Sequence, residues 1–170
     1  IVSMFRTSTR SSYGLVTSAG RLVLAHVVEL PKVSADGPLS VTGGVKAEEL
    51  LGMTENTDPI RGERVIAAID MPSTDDGGQP FPLALGTRNG VVKRWNRESP
   101  TTMDSWSVID LKDDDEVLAA AEARDEDRLV FVSTDSSLLT FEAKNVRPQG
   151  RTAGGMAGIR LAEGCSVAAF

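Results

Sequence analysis

The chain has 170 residues, of which 41% are hydrophobic and 25% charged, the proportions of a soluble globular domain with room for one sizeable core or two small ones. No stretch approaches the ~18 consecutive apolar residues of a membrane span, no leader peptide opens the chain, and no membrane partner is expected. The net charge of −6 argues globally against a polyanionic ligand, although the distribution of charge decides that question more than its sum.

The abrupt start at Ile1-Val-Ser-Met, without an initiator methionine, suggests a piece of something longer. A first hairpin is predicted around Thr17-Ser-Ala-Gly20, with apolar strands on either side and Pro31 after the second. Ala35 to Gly44 reads as loop, and Lys46-Ala-Glu-Glu-Leu-Leu51 as one or two helical turns. Gly62-Glu-Arg-Val-Ile-Ala-Ala68 is a turn followed by an apolar strand. Met71-Pro-Ser-Thr-Asp-Asp-Gly-Gly-Gln-Pro80 is a linker by its Pro, Gly and Asp content. Leu83-Ala-Leu-Gly-Thr-Arg-Asn-Gly-Val-Val-Lys-Arg-Trp95 carries the strongest hairpin signal, because Asn89-Gly90 can supply both φ > 0 positions of a type I′ turn. Leu118-Ala-Ala-Ala-Glu-Ala-Arg124 has helical propensity, yet it aligns with Ile66–Ile69 and Val167–Phe170 and is assigned to a strand. Asp125-Glu-Asp127 marks a boundary, after which a third hairpin turns at Thr134-Asp-Ser-Ser137.

These elements form a repeat. Aligning the turn threonines gives Thr17, Thr87 and Thr134, 70 and 47 residues apart, each followed by a second strand that ends near Pro31, Pro100 or Pro148. A later apolar strand recurs at Gly62–Ala68, Asp114–Ala120 and Gly164–Ala169. Three copies at roughly blade length predict an all-β, propeller-like array of four-stranded blades, about 1–71, 80–124 and 128–170, within one domain spanning 1–170.

Groups suited to catalysis are scarce. His26 lies in a strand pattern with no second histidine or neighbouring carboxylate, Cys165 has no CxxC partner, and Tyr13 reads as a packed strand residue. There is no phosphate-binding loop, dinucleotide fingerprint, HExxH or EF-hand, and Gly154-Gly-Met-Ala-Gly158 does not link a strand to a helix. The acidic runs read as solvated turns, so no catalytic, cofactor or metal site is expected within this chain. The cations are more suggestive. Arg88, Lys93, Arg94 and Arg97 flank the Asn-Gly turn, Lys144, Arg147, Arg151 and Arg160 lie in the third copy, and Arg6, Arg10 and Arg21 form a looser set in the first. Recurring at related blade positions, they would make a stripe that neutralises phosphates without reading bases. The alternatives are scattered solubilising charge, or a propeller used as a protein-interaction scaffold.

Three stretches resemble blades of the C-terminal domain of bacterial type IIA topoisomerase A subunits, those of DNA gyrase and topoisomerase IV. They are Gly14–Leu24, Leu83–Arg94, and Leu129–Leu139 with Val146–Leu161. The family pairs an apolar strand, Thr-x-x-Gly and a basic strand with a later Gly-Arg-x-x-x-Gly-hydrophobic-x-Gly-Ile-x-Leu element. The third copy is similar to both halves, and the second replaces the later half with Asp104-Ser-Trp-Ser-Val-Ile-Asp-Leu111. The resemblance implies a β-pinwheel, here a partial ring of about three blades, with duplex DNA along its basic rim. It also implies a non-catalytic role in DNA binding and bending within an ATP-dependent type II topoisomerase. The partners would be the ATPase B subunit together with the rest of the A subunit, ATP and Mg would belong to other domains, and the setting would be bacterial cytoplasm at the nucleoid. Arg88, Lys93, Arg94, Arg97, Lys144, Arg147, Arg151 and Arg160 are the expected phosphate contacts, with Lys93 and Arg94 expected to set the salt slope of binding. The Gln-Arg-Arg-Gly-Gly-Arg-Gly heptapeptide of gyrase is missing, Gln149–Gly155 being only a dilute relative, which leans the reading toward a topoisomerase IV-like or degenerate gyrase-like protein.

Overall fold

The computed structural model describes residues 3–31, 44–50, 62–71, 80–112 and 114–170. The expected loop at 35–44 and linker at 71–80 lie outside these apart from their end residues. The regular structure of the described residues is almost all strand, with two single-turn 3-10 helices and one short α-helix, α1 (Ala47–Leu50), inside the predicted helical stretch.

Three hairpins form where the repeat placed them: β1 (Ser12–Thr17) with β2 (Arg21–His26), β4 (Leu83–Thr87) with β5 (Val91–Trp95), and β8 (Arg128–Ser133) with β9 (Leu138–Glu142). Their turns share one chemistry. Gly20 N–H donates to Thr17 O, Gly90 N–H to Thr87 O and Ser136 N–H to Ser133 O, at 3.0, 3.1 and 3.0 Å. In each case the side-chain oxygen of the first turn residue accepts from the backbone N–H four residues on, Arg21, Val91 or Ser137. Ser133, not Thr134, is therefore the counterpart of Thr17 and Thr87, one residue from the alignment on threonines. The type I′ expectation at Asn89-Gly90 is also corrected. Among the described residues Arg97 and Ser136 are the non-glycines with positive φ, so Asn89 is not left-handed and only Gly90 is, at φ 82°. A turn with a single left-handed residue in its last position is the type I turn with a glycine bulge. Gly20 (φ 72°) and Ser136 (φ 65°) occupy the same position.

A third strand pairs antiparallel with the first strand of each hairpin: β3 (Val65–Met71) with β1, β7 (Val117–Glu122) with β4, and β12 (Val167–Ala169) with β8. The alanine-rich run after Leu118 is thus a strand, its helical propensity overridden by pairing. The fourth position is filled from the next unit along the chain. β6 (Ser105–Ser107) pairs with the outer edge of β2, and both β10 (Pro148–Gln149) and β11 (Met156–Ala157) pair with the outer edge of β5, the first parallel and the second antiparallel. The result is a four-stranded sheet β3-β1-β2-β6, a sheet β7-β4-β5 edged by β10 and β11, and a sheet β12-β8-β9.

The sheets stack face to face. Val16, Leu22, Ile69, Leu83, Leu85, Trp95 and Trp106 fill the layer between the first and second, where the two indoles meet edge to face at 6.5 Å. Ala84, Val92, Phe131, Val146 and Val167 fill the layer between the second and third, with Phe141 and Phe170 against them. Phe170 lies over Gly86, where an added Cβ would sit 2.1 Å from its ring, so only glycine allows this approach. The second sheet is consequently covered on both faces, and every residue of β4 is buried. Tyr13 packs in a smaller cluster on the far face of the first sheet, where burial first and then Glu29 raise its phenol above the ordinary tyrosine value.

Candidate nucleic-acid interface

Because the second sheet is covered on both faces, the cations of β5 have no outward face to occupy. Lys93 and Arg94 are consecutive on a strand and so point to opposite sides. Both sides are interior, and Lys93 is fully buried with Arg94 1% exposed. Lys93 Nζ donates to Arg151 O (3.1 Å) and Ala153 O (2.6 Å), tying down the loop after β10. Burial lowers its pKa from 10.5 to about 8, with Asp110 pulling the other way. The Arg94 guanidinium donates to the carbonyls of Ala123, Ala143 and Val146 and to Asp125 Oδ1, all between 2.8 and 3.2 Å. Arg97, left-handed at φ 61°, donates to Glu122 and to Asp70 O, joining the first sheet to the second. These three are corrected as phosphate contacts: they are internal donors whose N–H groups are taken up by backbone carbonyls and carboxylates of neighbouring segments.

Arg88 and Lys144 are exposed but already paired. Glu116 receives Arg88 Nε at 2.6 Å and Arg64 Nη2 at 3.2 Å, a bridge between the first two units. Burial pushes the Glu116 carboxyl up, but the hydrogen bonds and charge of Arg88 and Arg64 outweigh it and hold the group below the usual glutamate value. Lys144 pairs with Glu142, which raises the lysine. In the looser set, Arg21 makes a two-pronged contact with Glu63, both bonds at 2.8 Å.

Arg147, Arg151 and Arg160 are exposed, and none forms an ion pair among the described residues. All three sit on the segment that edges the second sheet. Arg147 precedes β10, which lies beside Arg94 and Trp95 of β5, and Arg160 follows β11, which lies beside Val91 and Val92. Arg151 sits in the loop between β10 and β11 that Lys93 anchors. The segment that carries them runs along β5, which is about 13 Å long for its five residues. Further on, Gly158 and Ile159 N–H groups donate to Gly90 O (2.8 and 3.2 Å), as Val108 N–H donates to Gly20 O (2.8 Å). The Gly-Ile-Arg-Leu stretch at 158–161 thus docks under the preceding turn, as does 108–111 under the turn before it. The cations the structure brings together are therefore three of the eight, on one outer edge. The sequence signal for them was their place in the later repeat element.

The remaining groups that could carry chemistry stay apart. His26 Nδ1 lies 3.0 Å from Ser12 Oγ at an exposed strand end, and Cys165 is half-buried. No cluster of His, Cys, Asp and Glu among the described residues is set to hold a metal ion.

Comparison with known proteins agrees with this architecture. Residues 127–167 match the family described as DNA gyrase C-terminal domain, beta-propeller. The chain is 30% identical over 165 residues to the DNA gyrase A subunit of Staphylococcus epidermidis, covering 94% of this chain and 17% of that protein. It is likewise 30% identical over 163 residues to the DNA gyrase A subunit of Mycolicibacterium smegmatis, covering 94% and 18%. The chain thus spans under a fifth of the length of these relatives. Among solved structures, the C-terminal domain of a DNA topoisomerase IV superposes with a TM-score of 0.72 at 24% identity, over 95% of this chain and 46% of that one. The E. coli ParC C-terminal domain superposes with a TM-score of 0.65 at 18% identity, over 96% and 62%. The all-β, propeller-like fold expected from the repeat is the fold these domains share.

Proposed function

We propose that this chain, which belongs to the family of C-terminal domains of the gyrase and topoisomerase IV A subunits, binds and bends duplex DNA for a type II topoisomerase without taking part in catalysis. The observation that carries the reading is the set of exposed arginines 147, 151 and 160 on the segment edging one sheet, none ion-paired among the described residues, in a chain otherwise rich in acid. Guanidinium groups spaced along an extended edge suit backbone phosphates, and without base-edge donors in a groove they carry no sequence preference. The proposed partners are an ATPase B subunit together with the rest of an A subunit. ATP and Mg serve other domains, and the proposed setting is the bacterial cytoplasm at the nucleoid. No helix among the described residues is long and apolar enough to cross a membrane.

The test is duplex binding against salt. Three phosphate contacts predict a log–log slope of about −3, and Arg151→Ala or Arg160→Ala should each flatten it by roughly 1 while weakening all sequences alike. Binding that is absent at low salt, or indifferent to salt, overturns the reading and leaves the protein-scaffold alternative.

A further inference from the structure

The outer edges of the first two sheets are each covered by a segment of the next unit, but the segments differ in charge. On the first sheet the edging segment is 101–111, with β6 against β2. Its exposed charges up to Leu111 are Asp104 and Asp110, and the lysine that follows, Lys112, is succeeded closely by Asp114. On the second sheet the edging segment carries Arg147, Arg151 and Arg160. The third sheet ends at β9, whose charge is Glu142, paired with Lys144. Topology makes the first two edges equivalent, because 108–111 and 158–161 dock under Gly20 and Gly90 through the same backbone bonds. Chemistry makes them opposite.

We infer that the chain grips DNA at a single edge, that of the second sheet, and that the neighbouring edge repels the duplex. The inference rests on the DNA-binding reading and sets its extent: a short contact at one edge instead of a path continued from sheet to sheet. An edge of five strand residues spans about 13 Å, or roughly four base pairs at 3.4 Å each. Carboxylates on the adjoining edge meet a phosphate backbone that carries the same sign, which disfavours continuation of the path. Asp110 is left unmodified in the test because it faces Lys93.

The experiment measures anisotropy of labelled duplexes of about 8, 12, 18 and 30 base pairs with the chain, at several salt concentrations. Affinity corrected for the number of overlapping sites, and the salt slope, should level off by about 12 base pairs. The double variant Thr102→Lys/Asp104→Lys, at exposed positions, should steepen the slope by roughly 2 and move the plateau to longer duplexes. Arg151→Glu/Arg160→Glu should remove binding at every length. A wild-type slope that keeps growing to the longest duplex, or a lysine variant indistinguishable from wild type, overturns the single-edge grip while leaving DNA binding intact. No binding by the wild-type chain at any length overturns the DNA reading itself.

Discussion

Ser136 holds a backbone conformation that its two counterparts assign to glycine. Its φ of 65° matches Gly20 at 72° and Gly90 at 82°, and a side chain in this region costs about 1 kcal/mol or more. Ser136→Gly should therefore stabilise the fold by about 1 kcal/mol, offset in part by the extra freedom glycine has when unfolded, and a denaturant midpoint shift measures the balance. The reverse change at Gly90 should be severe, since an added Cβ there also meets Ile159 O at 2.6 Å. Lys93 supplies a pH-dependent prediction at the same scale. Its folded-state pKa is lowered from 10.5 to about 8, so above pH 8 the unfolded chain holds a proton that the folded chain has released. Stability then rises with pH wherever the unfolded state binds more protons, here between pH 8 and about 9.5, before Tyr13 and the other bases intervene. Urea titrations across that window should show the rise in the wild-type chain and its loss in Lys93→Met. An equal rise in both would show that another group is responsible.

At the scale of elements, the repeat was legible because each turn leaves residues that no other context explains: a Thr or Ser whose oxygen caps the next strand, then a left-handed position. The offset of one residue at Ser133 arose because Thr134 sits beside it with the same chemistry, and only the backbone bond from Ser136 distinguishes them. The destination of β6, β10 and β11 was not legible, since pairing with the previous unit's sheet is non-local and leaves no periodic mark in two- or three-residue strands. The burial of Lys93 and Arg94 was hidden for the same reason. Val-Val-Lys-Arg-Trp reads as a strand with one cation on each face until sheets cover both. Arg94 then becomes the hub of an element junction, joining the carbonyls at the end of β7 (Ala123) and of the short turn after β9 (Ala143, Val146). Arg94→Met should cost about 3 kcal/mol or more by removing four hydrogen bonds from this junction, although Ala143 O keeps the Val146 N–H. The salt slope of DNA binding, measured where the variant is folded, should stay as it was. A flattened slope with unchanged stability would return Arg94 to the phosphate-contact set.

Across the described residues, the sheets are joined by apolar layers and by charged clamps, and acid can open the clamp at Glu116. Arg64 comes from the strand entry of the first unit and Arg88 from the turn of the second, and both converge on one half-buried carboxylate. Nearby, Val117 N–H donates to Ser18 O across the same junction, as Val167 N–H donates to Arg88 O across the next. The Glu116 carboxyl is held below its ordinary 4.5 despite burial, because the two arginines outweigh desolvation. A depressed acid contributes stability that is complete above its unfolded pKa and is lost as pH falls through the folded one. The window therefore opens just below pH 4.5 and extends downward, and the joint between the first and second sheets is where the loss falls. Glu116→Gln removes the titration along with the charge, so the variant should be less stable than the wild-type chain near neutrality and should converge on it as acid protonates the native group. Thermal melts from pH 7 down to about 3 test this, with hydrogen exchange at Val117 reporting the junction directly. A gap that is absent at every pH would mean that the Arg64–Glu116–Arg88 bridge carries no structural weight, and one that does not narrow in acid would mean that the Glu116 charge is not its source. The joint would then rest on the apolar layer of Trp95 and Trp106, the Arg97 contacts and the Val117–Ser18 backbone bond.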